Sequence, residues 1–257
     1  LGQQGVRQIE LDIHWRDEEK GFLVHHIPAA DEKSTCRTLP DCLAVIKGWS
    51  DAHRNHSVLI VLLEPKDDLD QEKIVGHYDD LDAAILAAIP RERIFTPDDM
   101  RRTHATLRET VTKDGWPTLG ATRGRILFQL LDTGEHRDGY MEGHPNLEDR
   151  LMFARGGEDQ TWGLFSEFGN PITNEEKIRQ RALDGYMVRT FAVTREDGAE
   201  VGPAEVEAAV RSGAHFVSTD FPAKVTGQDV WFDLAGGTPS RCNPVTAPPE
   251  CTPEAIE

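Results

Sequence analysis

The chain has 257 residues, 38% hydrophobic and 28% charged, enough to bury a substantial core as one large α/β domain or two small ones. Its 45 Asp and Glu against 28 Lys and Arg leave a net charge of −17. That balance argues against nucleic acid, whose phosphates need clustered Lys and Arg, and gives no long-range attraction to an anionic membrane. No apolar run approaches the ~20 residues needed to span a bilayer.

Residues 1–5 read as the end of a helix running into a first strand at 6–14, VRQIELDIH. Alternate side chains of a strand share a face, so Ile9, Leu11 and Ile13 point one way and Glu10, Asp12 and His14 the other. After a short polar link a second apolar run, Phe22-Leu23-Val24, ends in His25 and His26. A Pro-, Asp- and Ser-containing loop at 27–39 follows, then a helix at 41–55 with Leu43, Ile46 and Trp49 on one face. Residues 58–63 are continuously apolar and rich in β-branched side chains, as in a parallel strand buried on both faces. That run ends in the polar Glu64-Pro65-Lys66-Asp67-Asp68.

Helices are predicted at 79–89, stopped by Pro90, and at 97–112. A strand at 126–131 is entered through Arg123-Gly124-Arg125, and a short one covers 150–155. Residues 162–168 fit either strand or loop. A polar helix at 174–183, a strand at 186–193, a helix at 203–212 and a strand at 215–221 complete the pattern. Residues 1–224 are read as one domain, and the Gly- and Pro-rich stretch 225–257 as an extended tail packed on it.

Short strands alternating with helices imply an α/β fold with a parallel sheet. No Gly-rich phosphate loop follows a strand, and polar residues gather at strand carboxyl ends. Both features point to a TIM-type (β/α)8 barrel. Seven strands are counted, so the eighth would lie before Leu1; Leu1 is not a natural start, and the chain reads as a mature or trimmed product.

The four cysteines form two close pairs, Cys36 with Cys42 and Cys242 with Cys251, neither with C-x2-C spacing. They read as two local disulfides and an oxidising compartment. Two acids ~7 Å apart on one strand face repel unless a cation sits between them. Glu10 and Asp12, with Glu64 from the next strand, make a hard-oxygen site that suits Ca2+ or Mg2+ better than zinc. His25 and Lys66 are then spare for proton transfer and phosphate; Lys66 as a solvated charge, and Arg189 as a salt-bridge partner of Asp220, are the bland alternatives. The histidines at 53, 56, 77, 104, 136 and 144 lie in helical or loop sequence and read as bystanders.

V-R-Q-I-E-L-D-I-H, V-H-H, S-T-C-R-T-L-P-D-C-L and L-L-E-P-K-D-D, in that order, resemble the bacterial Ca2+-dependent phosphatidylinositol-specific phospholipase C family. So do G-Y-M-V-R-T-F, S-G-A-H-F-V-S-T-D-F-P and R-C-N-P-V-T-A-P. The resemblance implies a TIM-like barrel in which the inositol 2-hydroxyl attacks phosphorus, releasing diacylglycerol and an inositol cyclic phosphate. By the same resemblance Glu10, Asp12 and Glu64 are Ca2+ ligands, and the metal holds a phosphoryl oxygen and acidifies the 2-hydroxyl. His25 is then the family's second catalytic histidine, protonating the leaving oxygen; His26 is the alternative, turned away by strand alternation. Lys66 and Arg189 are candidate phosphate contacts.

Two departures stand out. The family's first catalytic histidine, with a calcium-binding Asn beside it, belongs to a strand that would precede this sequence. Phe191 follows V-R-T where a basic residue is expected. The expected protein is a secreted monomer that meets a membrane surface transiently and takes a phospholipid or small phosphodiester. The rival readings are a glycerophosphodiester phosphodiesterase and an inactive barrel that binds head groups or a protein.

Overall fold

The structure, a computed structural model, describes residues 1–27, 34–67, 70–194, 203–227, 229–234 and 239–256. Parts of the loop at 27–39 and of the tail, and Asp68, therefore lie outside the described residues. The chain divides into two compact units, Gln8–Gly163 and, together, Leu1–Arg7 with Leu164–Glu257.

The first unit is built on a five-stranded sheet in the order β2-β1-β3-β4-β5. Its strands are β1 (Gln8–Arg16), β2 (Gly21–Val24), β3 (Leu59–Pro65), β4 (Ile126–Leu130) and β5 (Met152–Ala154). β1, β3, β4 and β5 are parallel, while β2 folds back on β1 as an antiparallel hairpin, pairing Ile13 with Val24 and His14 with Leu23. Leu59 to Leu63 are all buried, as the unbroken apolar run requires of a strand covered on both faces. Each such side chain contributes about 1.5–3 kcal/mol of burial.

Around this sheet run α1 (Leu39–Ala52), α2 (Tyr78–Ala88), α3 (Pro97–Arg101), α4 (Leu107–Asp114), α5 (Leu119–Thr122) and α6 (Glu135–Tyr140). Thr38 Oγ1 accepts the Asp41 N–H to cap α1, which buries Leu39, Leu43 and Ile46; such a cap contributes about 1 kcal/mol. Gly124, in the turn into β4, has φ +72°, and an added Cβ there would meet the Arg54 carbonyl oxygen. Only glycine fits that approach.

The second unit holds a three-stranded parallel sheet, β6 (Phe165–Glu167), β7 (Met187–Phe191) and β8 (Phe216–Ser218), with β7 central. Helices α7 (Pro171–Leu183) and α8 (Pro203–Ser212) pack together, and α9 (Pro253–Ile256) lies in the tail. Tail residue Val245 packs against Ile178, Ala182, Tyr186 and Val188. Both disulfides, Cys36–Cys42 and Cys242–Cys251, are present, and no free cysteine remains. Among the described residues no helix is long and apolar enough to cross a membrane.

All seven expected strands occur; β1 and β3 run two residues further than expected at their carboxyl ends, and the other five are shorter. Three details differ from expectation. Residues 1–5 form a turn, not a helix end. The helix expected at 97–112 is two helices, because Arg102 takes φ +55° after α3 and Thr106 caps a new start for α4. The run before His25 is a hairpin strand additional to the seven.

Candidate metal and phosphate site

Parallel pairing of β1 with β3 sets Asp12 directly beside Glu64 near the carboxyl ends of both strands. Glu10 lies two residues back on the same face of β1. Neighbouring strands run about 4.8 Å apart and same-face residues about 7 Å apart, so three acids in this register must converge. They do: one carboxylate oxygen from each of Glu10, Asp12 and Glu64 lies within 4.8 Å of the other two. The opposite face carries Leu11 and Ile13, both buried.

Asp12 Oδ1 is buried and has no hydrogen-bond partner. An unpartnered carboxylate oxygen is costly unless something positive reaches it. Burial raises the Asp12 pKa above its ordinary value, against the opposing charge of Lys66 and with the help of Glu10. This buried oxygen among three acids fits a hard divalent cation.

Lys66 follows β3, its N–H donating to the Ile13 carbonyl at 3.0 Å. Its Nζ lies 2.9 Å from Glu64 Oε1. Burial works to lower the Lys66 pKa, but the hydrogen bond and charge of Glu64, with Asp12 and Glu10 behind it, prevail and hold it above its ordinary value. The next residue, Asp67, is buried and accepts from the Ile74 N–H at 2.8 Å. His136 Nε2 lies 3.2 Å from Asp67 Oδ1. His136, which reads as a bystander in the sequence, thus helps hold the turn that presents Lys66.

His25 sits one residue beyond β2. Its N–H donates to the Asp12 carbonyl at 3.2 Å, tying it to the acidic cluster through the backbone. Its ring is half-buried, whereas His26 is exposed. The ring of His14, on the same face of β1 as the acids, stacks on that of His25 with centroids 3.8 Å apart. His14 also reaches Asp70 and the His25 carbonyl. Strand alternation puts His14 on the acidic face, but no local sequence signal links it to Asp70, 56 positions away.

Arg189 lies in the other unit, on β7. Its Nε donates to Ser218 Oγ at 2.7 Å and its Nη1 to Glu167 Oε2 at 3.0 Å. Its guanidinium lies 4.6 Å from the centre of the Phe191 ring, so Phe191 serves Arg189 as a cation–π surface.

A family model described as phosphoinositide phospholipase C, Ca2+-dependent, matches residues 6–244. The chain belongs to that family. This phospholipase C-family chain is therefore a phosphodiesterase of a Ca2+-dependent class, and its acidic cluster can hold a metal ion. No curated protein matches it.

Among solved structures it resembles a Ca2+-dependent phosphatidylinositol-specific phospholipase C from Streptomyces antibioticus, at 18% identity and TM-score 0.67, covering 85% of this chain and 86% of that one. It also resembles a calcium-dependent phosphoinositol-specific phospholipase C from a Pseudomonas species, at 19% identity and TM-score 0.63, covering 86% and 83%. These likenesses show the fold, the TIM-type α/β architecture of this family.

Proposed function

We propose that this phospholipase C-family chain cleaves phosphatidylinositol, or a closely related inositol phosphodiester, by internal attack of the inositol 2-hydroxyl. The observation that supports this reading most is the convergence of Glu10, Asp12 and Glu64 within 4.8 Å around the unpartnered Asp12 Oδ1. These three residues would hold Ca2+. When bound, the ion supplies positive charge to a phosphoryl oxygen and favours ionisation of the 2-hydroxyl.

The remaining work falls to the chain. The 2-hydroxyl releases its proton to bulk water as its oxygen bonds to phosphorus, and the glycerol oxygen gains one as its own bond to phosphorus breaks. His25 gives that second proton to the leaving oxygen. Lys66 lends its ammonium to the phosphate, where negative charge builds in the transition state. The products are diacylglycerol and inositol cyclic phosphate. The two disulfides support a secreted protein, since such bonds persist in oxidising surroundings. The enzyme works as a monomer in transient contact with the lipid surface.

Phosphorus NMR on phosphatidylinositol micelles, with Ca2+ and with chelator, tests the reading. Chelator-sensitive appearance of a cyclic phosphate supports it. Glycerol phosphate made with water as the nucleophile points to the glycerophosphodiesterase alternative. Head-group binding without turnover identifies a binding protein.

A further inference from the structure

We propose that His14 is the positioning residue for His25, acting with Asp70 and Arg16 as a buried brace; this rests on the reading of His25 as the proton donor. The histidine χ2 torsion is broad and two-fold, so a lone half-buried imidazole samples many ring angles. Here the His14 ring lies flat against that of His25, with centroids 3.8 Å apart and planes 3° apart. A parallel surface at that distance leaves the His25 ring only orientations within its own plane.

The brace also fixes the main chain of His25. His14 Nε2 donates to the His25 carbonyl oxygen at 2.9 Å, while the His25 N–H donates to the Asp12 carbonyl at 3.2 Å. Ring face, carbonyl and N–H of one residue are therefore all held from β1. His14 is itself held at its other nitrogen, with Nδ1 2.7 Å from Asp70 Oδ2. Arg16 grips Asp70 through two bonds, Nη1 to Oδ2 at 3.0 Å and Nη2 to Oδ1 at 3.1 Å.

A histidine buried merely as filler needs its nitrogens satisfied, and any backbone group would serve. His14, 0% exposed, spends one nitrogen on the backbone of the very residue whose ring it stacks against. Its neighbours on the same strand face are the candidate metal ligands. One strand thus sets the metal site and the donor in a common frame, the kind of support that holds a reacting group to a fraction of an ångström.

The test compares kcat and KM on phosphatidylinositol micelles for His14→Phe and Asp70→Asn, each alone and combined with His25→Ala. His14→Phe keeps a flat ring and loses both hydrogen bonds; Asp70→Asn keeps the shape, removes the carboxylate charge behind Nδ1 and leaves only a neutral amide to meet it. Each single variant is expected to lower kcat about 10–100-fold with KM changed less than about twofold. In the His25→Ala background the same substitutions should cost almost nothing further, since there is no donor left to position. If His14→Phe fails to fold, Asp70→Asn decides alone.

Unchanged kcat in a folded variant, beside a crippled His25→Ala, overturns the brace and leaves the role of His25 standing. A loss of full size in the His25→Ala background also overturns it, because His14 then acts elsewhere. If His25→Ala itself keeps its kcat, the donor assignment and the brace fall together.

Discussion

Lys66 Nζ lies 2.9 Å from Glu64 Oε1, so an ammonium is paired with one of the three carboxylates that can take a divalent ion. In the metal-free chain that charge offsets the mutual repulsion of Glu10, Asp12 and Glu64. A cation arriving at the cluster must work against it. Replacing Lys66 by Met is expected to raise Ca2+ affinity several-fold while lowering the melting temperature in chelator, the lost pair contributing on the order of 1 kcal/mol. Calorimetric titration with Ca2+ and thermal melts in chelator measure both. Weaker Ca2+ binding in the variant would mean that Lys66 arranges the carboxylates instead of competing with the ion.

Asp12 is the member of the cluster with a buried, unpartnered carboxylate oxygen, and its replacement is the direct test of the metal site. Ca2+ stabilises only the state that binds it, so saturating ion should raise the melting temperature of the native chain. Asp12→Asn should abolish that gain and cut turnover by at least about 100-fold, the removal of one ligand from a three-carboxylate site. The gain should also depend on pH. The folded Asp12 holds its proton above the ordinary value, so without metal its contribution favours the fold at low pH and fades as pH rises through its folded value. Ca2+ needs the ionised carboxylate, so the stabilisation by Ca2+ should grow over that same rise. Melts with and without Ca2+ across the carboxylate range check the sign.

How much of this was legible in the sequence follows from the range of each interaction. The acids on β1 and β3 could be read because strand periodicity is local and the run at 59–63 has no polar interruption. The break between α3 and α4 was legible in hindsight. Thr96 with Asp99 and Thr106 with Glu109 are both cap-forming spacings, and each threonine accepts the N–H three residues on. The brace behind His25 was not legible, because Asp70 meets His14 only after β3 returns beside β1. The same holds for His136 and Asp67, which lie 69 positions apart. Position on a strand face is written in neighbours; partnership across strands is written in the fold.

A buried acid away from the site gives a stability prediction of its own. Asp82 accepts the Tyr140 hydroxyl at 2.8 Å and lies 3.4 Å from Arg150 Nη1, yet burial outweighs both and pushes its pKa up to about 6 from 3.8. Between these values the native chain holds a proton that the unfolded chain releases. Its contribution is therefore full below pH 3.8 and lost as pH climbs through 6, a change of about 3 kcal/mol. Asp82→Asn keeps an acceptor for Tyr140 and cannot ionise. Urea unfolding should find it more stable than the parent at pH 7, with the difference vanishing toward pH 4. A difference independent of pH would show that Asp82 does not titrate in this range.

His215, in the other unit, titrates with the opposite sign. Its Nδ1 accepts the Val188 N–H at 3.1 Å, which fixes that nitrogen as the unprotonated one. Burial lowers its pKa from 6.5 to about 4. As pH falls from 6.5 the unfolded chain gains a proton that the native chain refuses. The contribution of His215 is thus present above 6.5 and lost as pH falls through 4, again about 3 kcal/mol in all. His215→Asn puts an amide oxygen near the place of Nδ1, keeps an acceptor for Val188 and removes the titration. Its stability should change more than the parent's between pH 6.5 and 4, because the opposing Asp82 slope is then uncompensated, measured by urea unfolding in chelator. Because Asp82 and His215 pull in opposite directions over this window, each single variant should expose the slope of the other. Asp82→Asn should grow more stable as pH rises from 4 to 6.5, and His215→Asn less stable. A double variant should be nearly flat, and a steep slope there would assign the pH dependence to other groups.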